Sequence, residues 1–197
     1  GISAKGFRAA TAWIGHFTGG LATSAVVACG AFATVSGSSI ATAATVSKIA
    51  IPELLKAGYS KQLSGACVAV GGTLGVLIPP STIMVLYSIA TETPIPELFI
   101  AGVVPGILTI LVYAIGIWLM VKRDPKMKSL TVQPRMSYRE RLKITFSSWE
   151  ILLIFTAVMG TLYTGIATAS EAAGIGAFVA LGIAVYRGTS WLEIKTG

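Results

Sequence analysis

The chain reads as an all-α integral membrane protein that combines a re-entrant helical hairpin with a broken transmembrane helix. Three observations support this. Of its 197 residues, 54% are apolar and 12% are charged, with a mean hydropathy of +0.78, a composition outside the soluble range. Long uncharged runs recur. Two of these runs are interrupted by Ser36-Gly37-Ser38-Ser39 and by Gly71-Gly72-Thr73-Leu74-Gly75-Val76-Leu77-Ile78-Pro79-Pro80-Ser81. At membrane depth no bulk water can satisfy a loosened backbone, so such breaks persist only inside protein or beside a wet cavity. Paired breaks of this kind are a pointer to an ion and solute site near the bilayer midplane.

Residues 1–19 form an amphipathic segment on the cytoplasmic side, carrying Lys5, Arg8 and His16. Residues 20–58 follow as the hairpin. Its first arm, Gly20 to Val35, is too short for a full crossing at about 1.5 Å per residue. Basic residues flank both ends, Lys5 and Arg8 before and Lys48, Lys56 and Lys61 after. A hairpin with its tip at Ser36–Ser39 returns to the side it entered from; a single crossing does not.

Residues 59–121 hold the broken helix and the next span. The stretch 62–91 is uncharged and as one helix would reach ~45 Å, beyond the ~30 Å hydrocarbon core. Pro79 and Pro80 remove two backbone donors, and Gly71, Gly72 and Gly75 add freedom. A helix, an unwound middle and a second helix are expected. Residues 99–121 span next and end at Trp118 and Lys122-Arg123, an interfacial anchor.

Residues 122–148 are expected to be a basic cytoplasmic loop, because eight of the fifteen Lys and Arg residues lie between Lys122 and Lys143. Phospholipid headgroups, not nucleic acid, are its expected acidic neighbours. Two further spans fill 149–187, and an amphipathic segment begins in 188–197. The turns 91–97 and 165–171 carry no Lys or Arg, which places them outside by the distribution of basic residues. A start at Gly1-Ile2 without Met, and a new segment beginning at the end, suggest an interior piece of a longer polypeptide.

The candidate site residues lie in the two breaks. Ser36–Ser39 offers hydroxyls and freed carbonyls, the ligand type that suits a hard cation such as sodium; alternatively, Ser39 caps the helix through Ala44 and binds nothing. Ser81 and Thr82 are placed to cap the second half-helix, whose positive end can face a carboxylate; alternatively, the prolines make only a packing kink. Glu171, after Thr168-Ala169-Ser170, reads as a helix-start carboxylate, and Glu53 after Pro52 reads the same way. Cys29 and Cys67 read as buried packing residues, not a disulfide or metal pair. A Ser–His hydrolase would need His16 beside a hairpin serine, yet His16 precedes the hairpin and no G-x-S-x-G occurs. A scaffold module without a site is a further alternative.

Phe32-Ala33-Thr34-Val35-Ser36-Gly37-Ser38-Ser39-Ile40-Ala41-Thr42-Ala43-Ala44, Ile51-Pro52-Glu53-Leu54, Gly58-Tyr59, Gly71-Gly72-Thr73-Leu74-Gly75, Ile78-Pro79-Pro80-Ser81, Leu98-Phe99-Ile100-Ala101-Gly102 and Pro105-Gly106 together resemble the large membrane subunit of tripartite ATP-independent periplasmic (TRAP) transporters. Gly165-Ile166-Ala167-Thr168-Ala169-Ser170-Glu171-Ala172-Ala173 resembles that family's G-x-x-T-P-T-E-A-A, with Ala169 in place of the proline. The resemblance implies one half of an inverted-repeat, elevator-type transporter in a bacterial inner membrane. It implies sodium-coupled uptake of organic acids such as dicarboxylates or sialic acids, with a small membrane subunit and a periplasmic substrate-binding protein as partners. It implies a sodium ion held by Ser36 and by the carbonyls of Gly75, Ile78 and Pro80. Ser38, Ser39, Ser81 and Thr82 are the corresponding candidates for the substrate carboxylate. A related carboxylate carrier that works without a binding protein is the alternative within transport.

Overall fold

The computed structural model describes residues 2–124 and 133–188. All regular structure among them is helical. The chain divides into two compact units, Gly1–Ser148 and Trp149–Gly197.

The first unit is organised around α2 (Gly20–Ser36), which packs against α1 (Ile2–Ile14), α3 (Ser39–Lys56), α4 (Lys61–Gly72), α5 (Leu74–Leu77) and α7 (Ile95–Arg123). A helix that is apolar all round belongs in an interior, and ten of the seventeen α2 residues are buried. They are mostly Ala, Gly, Ser and Cys, small enough for neighbouring backbones to approach closely. Leu21, Val26 and Cys29 meet Val46, Ala50 and Leu54 of α3, Cys67 and Val68 of α4, Leu74 of α5 and Val121 of α7 in one core. Both cysteines are free and buried, consistent with a packing role.

Helices α2 and α3 form an antiparallel pair joined by Gly37 and Ser38. Gly37 takes φ 59° and returns its N–H to Ala33 O at 2.9 Å, a left-handed helix end that glycine adopts without penalty. Ser38, not Ser39, caps α3 by accepting from Ala41 N; Ser39 is the first helical residue. Pro52 lies inside α3, so Glu53 is not at a helix start. It pairs instead with exposed Lys56 at 2.8 Å, one turn on.

The run 61–91 is broken, as expected, but over a shorter stretch. Helix α4 continues through Gly71 and Gly72, and a single turn, α5, includes Gly75. Only residues 78–81 leave the helical path, with Ile78 and Ser81 extended and a cis Pro79–Pro80 peptide, before α6 (Thr82–Thr91) begins. The three glycines therefore serve close approach, not unwinding, and none has a positive φ. A Cβ on Gly71 would lie 2.9 Å from Cys29 Sγ, on Gly72 2.8 Å from Ala43 Cβ, and on Gly75 2.8 Å from Ser39 N.

Helix α7, at 29 residues, is long enough to span a bilayer with tilt. Ile100, Val104, Ile107, Leu108, Leu111, Val112 and Ile115 form its exposed apolar face. At its basic end Lys122 stacks over the Trp118 ring at 4.6 Å, an aromatic–basic interfacial pair. The basic stretch 122–148 is not all loop. Within it α8 (Tyr138–Phe146) starts from a reciprocal Ser137–Glu140 capping box and packs on α1, where Trp13 Nε1 donates to Thr145 Oγ1 at 2.8 Å. Residues 125–132 and 189–197, the latter covering nearly all of the expected final amphipathic segment, lie outside the described residues.

The second unit pairs α9 (Trp149–Tyr163) with α10 (Ala169–Tyr186). Thr168 caps α10 and Glu171 reaches back to the Thr168 N–H at 2.8 Å, so Glu171 is a helix-start carboxylate. Ala169 occupies the first helical position, where proline is also well tolerated; the capping geometry forms without it. Ile151, Ile154, Met159 and Leu162 of α9 are buried together with Ala172 and Ile183 of α10. At the other end of the pair Arg187 Nη2 donates to Glu150 Oε1, which puts both outer ends of this helical hairpin at one level.

These contacts separate two kinds of glycine in α4. Gly72→Ala should lower the melting temperature, because its methyl must displace α3 at Ala43, an overpacking cost of about 1–3 kcal/mol. Gly65→Ala meets nothing within 4 Å and should stabilise slightly through helix propensity. Parallel thermal melts of the purified variants check both directions.

Candidate functional site: four helix ends at the hairpin tip

The tip of the α2–α3 hairpin docks on the break between α5 and α6. Thr82 donates twice to the Gly37 carbonyl, from its backbone N at 3.0 Å and from Oγ1 at 3.0 Å. On the other side of the tip, Gly75 lies against the Ser38–Ser39 backbone, and the Pro80 carbonyl oxygen sits 2.9 Å from where a Gly37 Cβ would project. Two helix C-terminal ends, of α2 and α5, thus meet two N-terminal ends, of α3 and α6. The C-terminal ends carry partial negative charge and the N-terminal ends partial positive charge. One junction therefore brings helix ends of opposite partial charge together.

Proline chemistry creates the free acceptors. The carbonyls of Gly75 and Val76 would take their helical donors from residues 79 and 80, both prolines without N–H. The Ile78 carbonyl would take Thr82 N, which is committed to Gly37. The Pro80 carbonyl would take Met84 N, which turns to Ser81 Oγ at 3.5 Å. The Ile78 side chain points elsewhere, toward Gly30 and Gly106, so only its backbone is available to the junction.

The hydroxyls divide by role. Ser36 Oγ lies 2.7 Å from Thr42 Oγ1, and the Ser38 backbone N donates to it at 3.4 Å. It sits inside the hairpin turn between the two arms. Ser38 and Ser81 act as helix caps; Ser81 is 1% exposed. Ser39 Oγ is buried with no hydrogen-bond partner among the described residues. The eight candidate residues lie at the hairpin tip, in the break, or in α5 and α6 on either side of it. Ser36, Ser38, Ser39, Gly75, Pro80 and Thr82 are joined there by the bonds and close approaches above, whereas Ser81 caps its own helix through Met84 N.

Two contributors were not singled out from sequence. Gly37 supplies the carbonyl that ties the breaks together, and Thr42 holds the Ser36 hydroxyl. Thr42 carried a legible signal, since it lies one helical turn past the tip on the face that returns toward it. The Gly37 carbonyl carried none, because it becomes an acceptor only through a partner 45 residues away.

His16 lies at the other end of α2. The 17-residue helix between amounts to about 25 Å, so no Ser–His pair forms at the tip. Among the described residues no group of His, Cys, Asp and Glu could hold a metal. The oxygens at the junction are all neutral, which suits a monovalent hard cation better than a transition metal.

The family model for the tripartite ATP-independent periplasmic transporter, DctM component, matches residues 1–196. The chain belongs to this family. It is 41% identical over 186 residues to the C4-dicarboxylate TRAP transporter large permease protein DctM of Pseudomonas aeruginosa, covering 94% of this chain and 43% of that protein. It is 41% identical over 199 residues to the protein of the same name in Vibrio cholerae, covering 100% of this chain and 43% of the relative. It is 30% identical over 188 residues to the sialic acid TRAP transporter large permease protein SiaM of Vibrio cholerae, covering 94% and 43% respectively. The chain thus spans less than half the length of the curated relatives it matches. Three to four helices among the described residues are long and apolar enough to cross a membrane, so the chain is a segment of a multi-pass membrane protein of this permease family.

The clamp should show in stability. Thr82→Val keeps the backbone bond and loses one hydroxyl bond, a cost of about 1 kcal/mol. Gly37→Ala should cost more, because it strains a left-handed residue by about 1–2 kcal/mol and drives a methyl against the Pro80 carbonyl. Thermal unfolding of the two variants should rank them in that order; equal stability would mean that the tip is not seated on the break.

Proposed function

We propose that this chain is the half of a sodium-coupled organic-acid permease that carries one re-entrant hairpin and one broken helix. The observation that carries the reading is the convergence of four helix ends on neutral oxygens. Ser36 Oγ and the carbonyls of Gly75, Ile78 and Pro80 are the proposed sodium ligands. They lie at or beside helix C-terminal ends, where partial negative charge favours a cation. Ser38, Ser39, Ser81 and Thr82 sit at the two N-terminal ends and are the proposed contacts for a substrate carboxylate. The relatives' names cite C4-dicarboxylates and sialic acid, both of which carry carboxylates.

The remaining parts of the reading rest on the family. A bacterial inner membrane would hold the protein. A small membrane subunit would brace it, a periplasmic binding protein would deliver the acid, and the hairpin with the broken helix would move as an elevator. On this reading sodium neutralises the acid, because among the described residues the junction brings no cationic side chain.

In the full-length protein with its partners, Ser36→Ala should raise the sodium concentration for half-maximal uptake, because one oxygen ligand is lost. Expression and membrane insertion should stay at parental levels. An unchanged sodium curve would remove Ser36 from the ion site.

Sidedness is tested separately. Single cysteines at Ala57 and Thr93, placed in a Cys-free background, flank opposite ends of the broken span. An impermeant thiol reagent applied to intact cells should label Thr93→Cys and spare Ala57→Cys. Labelling of Ala57→Cys from outside would overturn the re-entrant arrangement.

A further inference from the structure

We propose that Arg141, Arg135 and His16 form a seat for the phosphate of an anionic phospholipid where α8 packs on α1. The starting point is a buried cation with no counter-ion among the described residues. Arg141 is 4% exposed. Its guanidinium lies against two aromatic faces, 5.7 Å from the Trp13 ring centroid and 5.4 Å from that of Tyr138. Nε donates to the Met136 carbonyl at 3.0 Å. Nη2 is buried and makes no hydrogen bond among the described residues. No carboxylate pairs with Arg141 there either: Glu140, the nearest acid in sequence, is turned back to the Ser137 N–H at 3.0 Å. A buried charge without a partner is strongly unfavourable, and ring contacts alone offset only a fraction of that cost.

A second orphan lies in the same place. His16 Nδ1 is buried with no hydrogen-bond partner among the described residues. Burial first, then the Arg141 and Arg135 guanidiniums, hold His16 below the ordinary histidine range, which places both arginines in its neighbourhood. Gln133 N donates to the Gly15 carbonyl at 3.3 Å and so draws the 133–136 segment, with exposed Arg135, over the residue before His16. Two nitrogens without hydrogen-bond partners among the described residues and an exposed guanidinium thus share one neighbourhood, with no acid described among them. That donor set is complementary to a tetrahedral oxyanion, which accepts several hydrogen bonds and is matched by the planar arginine fork.

The surroundings favour a lipid as the source of the phosphate. Trp13, Phe17 and Tyr138 are 38–65% exposed around the cluster. Such rings cost free energy in water but suit the headgroup–acyl boundary, where one side is wet and the other apolar. A lipid would cover the rings and neutralise the arginines together. A free phosphate would do only the second. The cluster also lies in the most basic part of the chain, 122–143, as expected for a surface that meets anionic lipid.

The test uses the full-length permease in detergent, with the thermal shift measured against added phosphatidylglycerol, phosphatidylcholine or inorganic phosphate. Phosphatidylglycerol should raise the melting temperature and phosphatidylcholine should do so far less, because choline brings its own cation. Arg135→Gln, on an exposed side chain that is safe for folding, should weaken the phosphatidylglycerol response about tenfold in concentration, the scale of one charge-assisted contact. His16→Phe should weaken it as well. Arg123→Gln, on a basic residue at the end of α7, should leave it unchanged. Native mass spectrometry should show a retained phosphatidylglycerol adduct that both site variants lose. A parental response in Arg135→Gln and His16→Phe overturns the seat. An equal response to inorganic phosphate overturns the lipid assignment. Absence of any anion response in the parent would mean that an acid elsewhere in the full chain already pairs Arg141, and would overturn the proposal outright.

Discussion

Thr82 gives both of its donors to one carbonyl oxygen on Gly37, and through that oxygen two broken elements become a single structure. The pairing is forced from both sides. On one side, Pro79 and Pro80 take the chain out of the helical path, and α6 must begin with N–H groups that have no partner in the preceding turn. On the other, Gly37 ends α2 in a left-handed turn and leaves its carbonyl directed outward. Each element carries what the other lacks. The close seat of Gly75 on Ser38 and Ser39 then holds the tip against the break.

That seat is possible only because the helices beneath it are thin. Helix α4 turns Gly71 to Cys29 and Val26 of α2 and Gly72 to Ala43 of α3. In a bilayer there is little hydrophobic gain in joining two helices, so close van der Waals contact and lost lipid surface must hold them. A single added methyl at Gly72 lifts α4 from α3 and, with it, the break from the tip. Packing some distance from the junction thereby sets its geometry.

Much of this was legible in sequence because it follows from backbone chemistry. The length of the uncharged run 62–91 and the two prolines announced a broken span. The hydroxyl-rich tip at Ser36–Ser39 announced a turn between two short helices. What misled was the double meaning of glycine. Gly71, Gly72 and Gly75 stood beside the prolines and read as part of the unwinding, yet they are helical and serve contact; only the partner surface of α2 and α3 reveals this. Pro52 misled in the opposite direction, since it reads as a boundary but lies within α3 and leaves Glu53 one turn from Lys56. Helix α8 was masked by the basic residues around it. Its hydrophobic anchors are Trp13 and the rings of its own face, which lie far apart in sequence. At the junction, the acceptors on Gly75, Ile78 and Pro80 are backbone atoms with no side-chain signature, and they came to notice through family resemblance and not through residue type.

A junction built from hydroxyls and carbonyls has no formal charge of its own. An electric field does work only on charge that moves through it, roughly 2.3 kcal/mol for each elementary charge across 100 mV. On the proposed reading, this half of the permease, once emptied of ion and acid, carries nothing at its centre for the membrane voltage to pull on. The voltage would bear on the passage of the loaded protein, according to how many ions accompany each carboxylate. For this half, the unloaded return would carry no formal charge of the junction through the field. A single aspartate or glutamate introduced at Thr42 or Ser39 would reverse that division and make the empty protein the voltage-sensitive form.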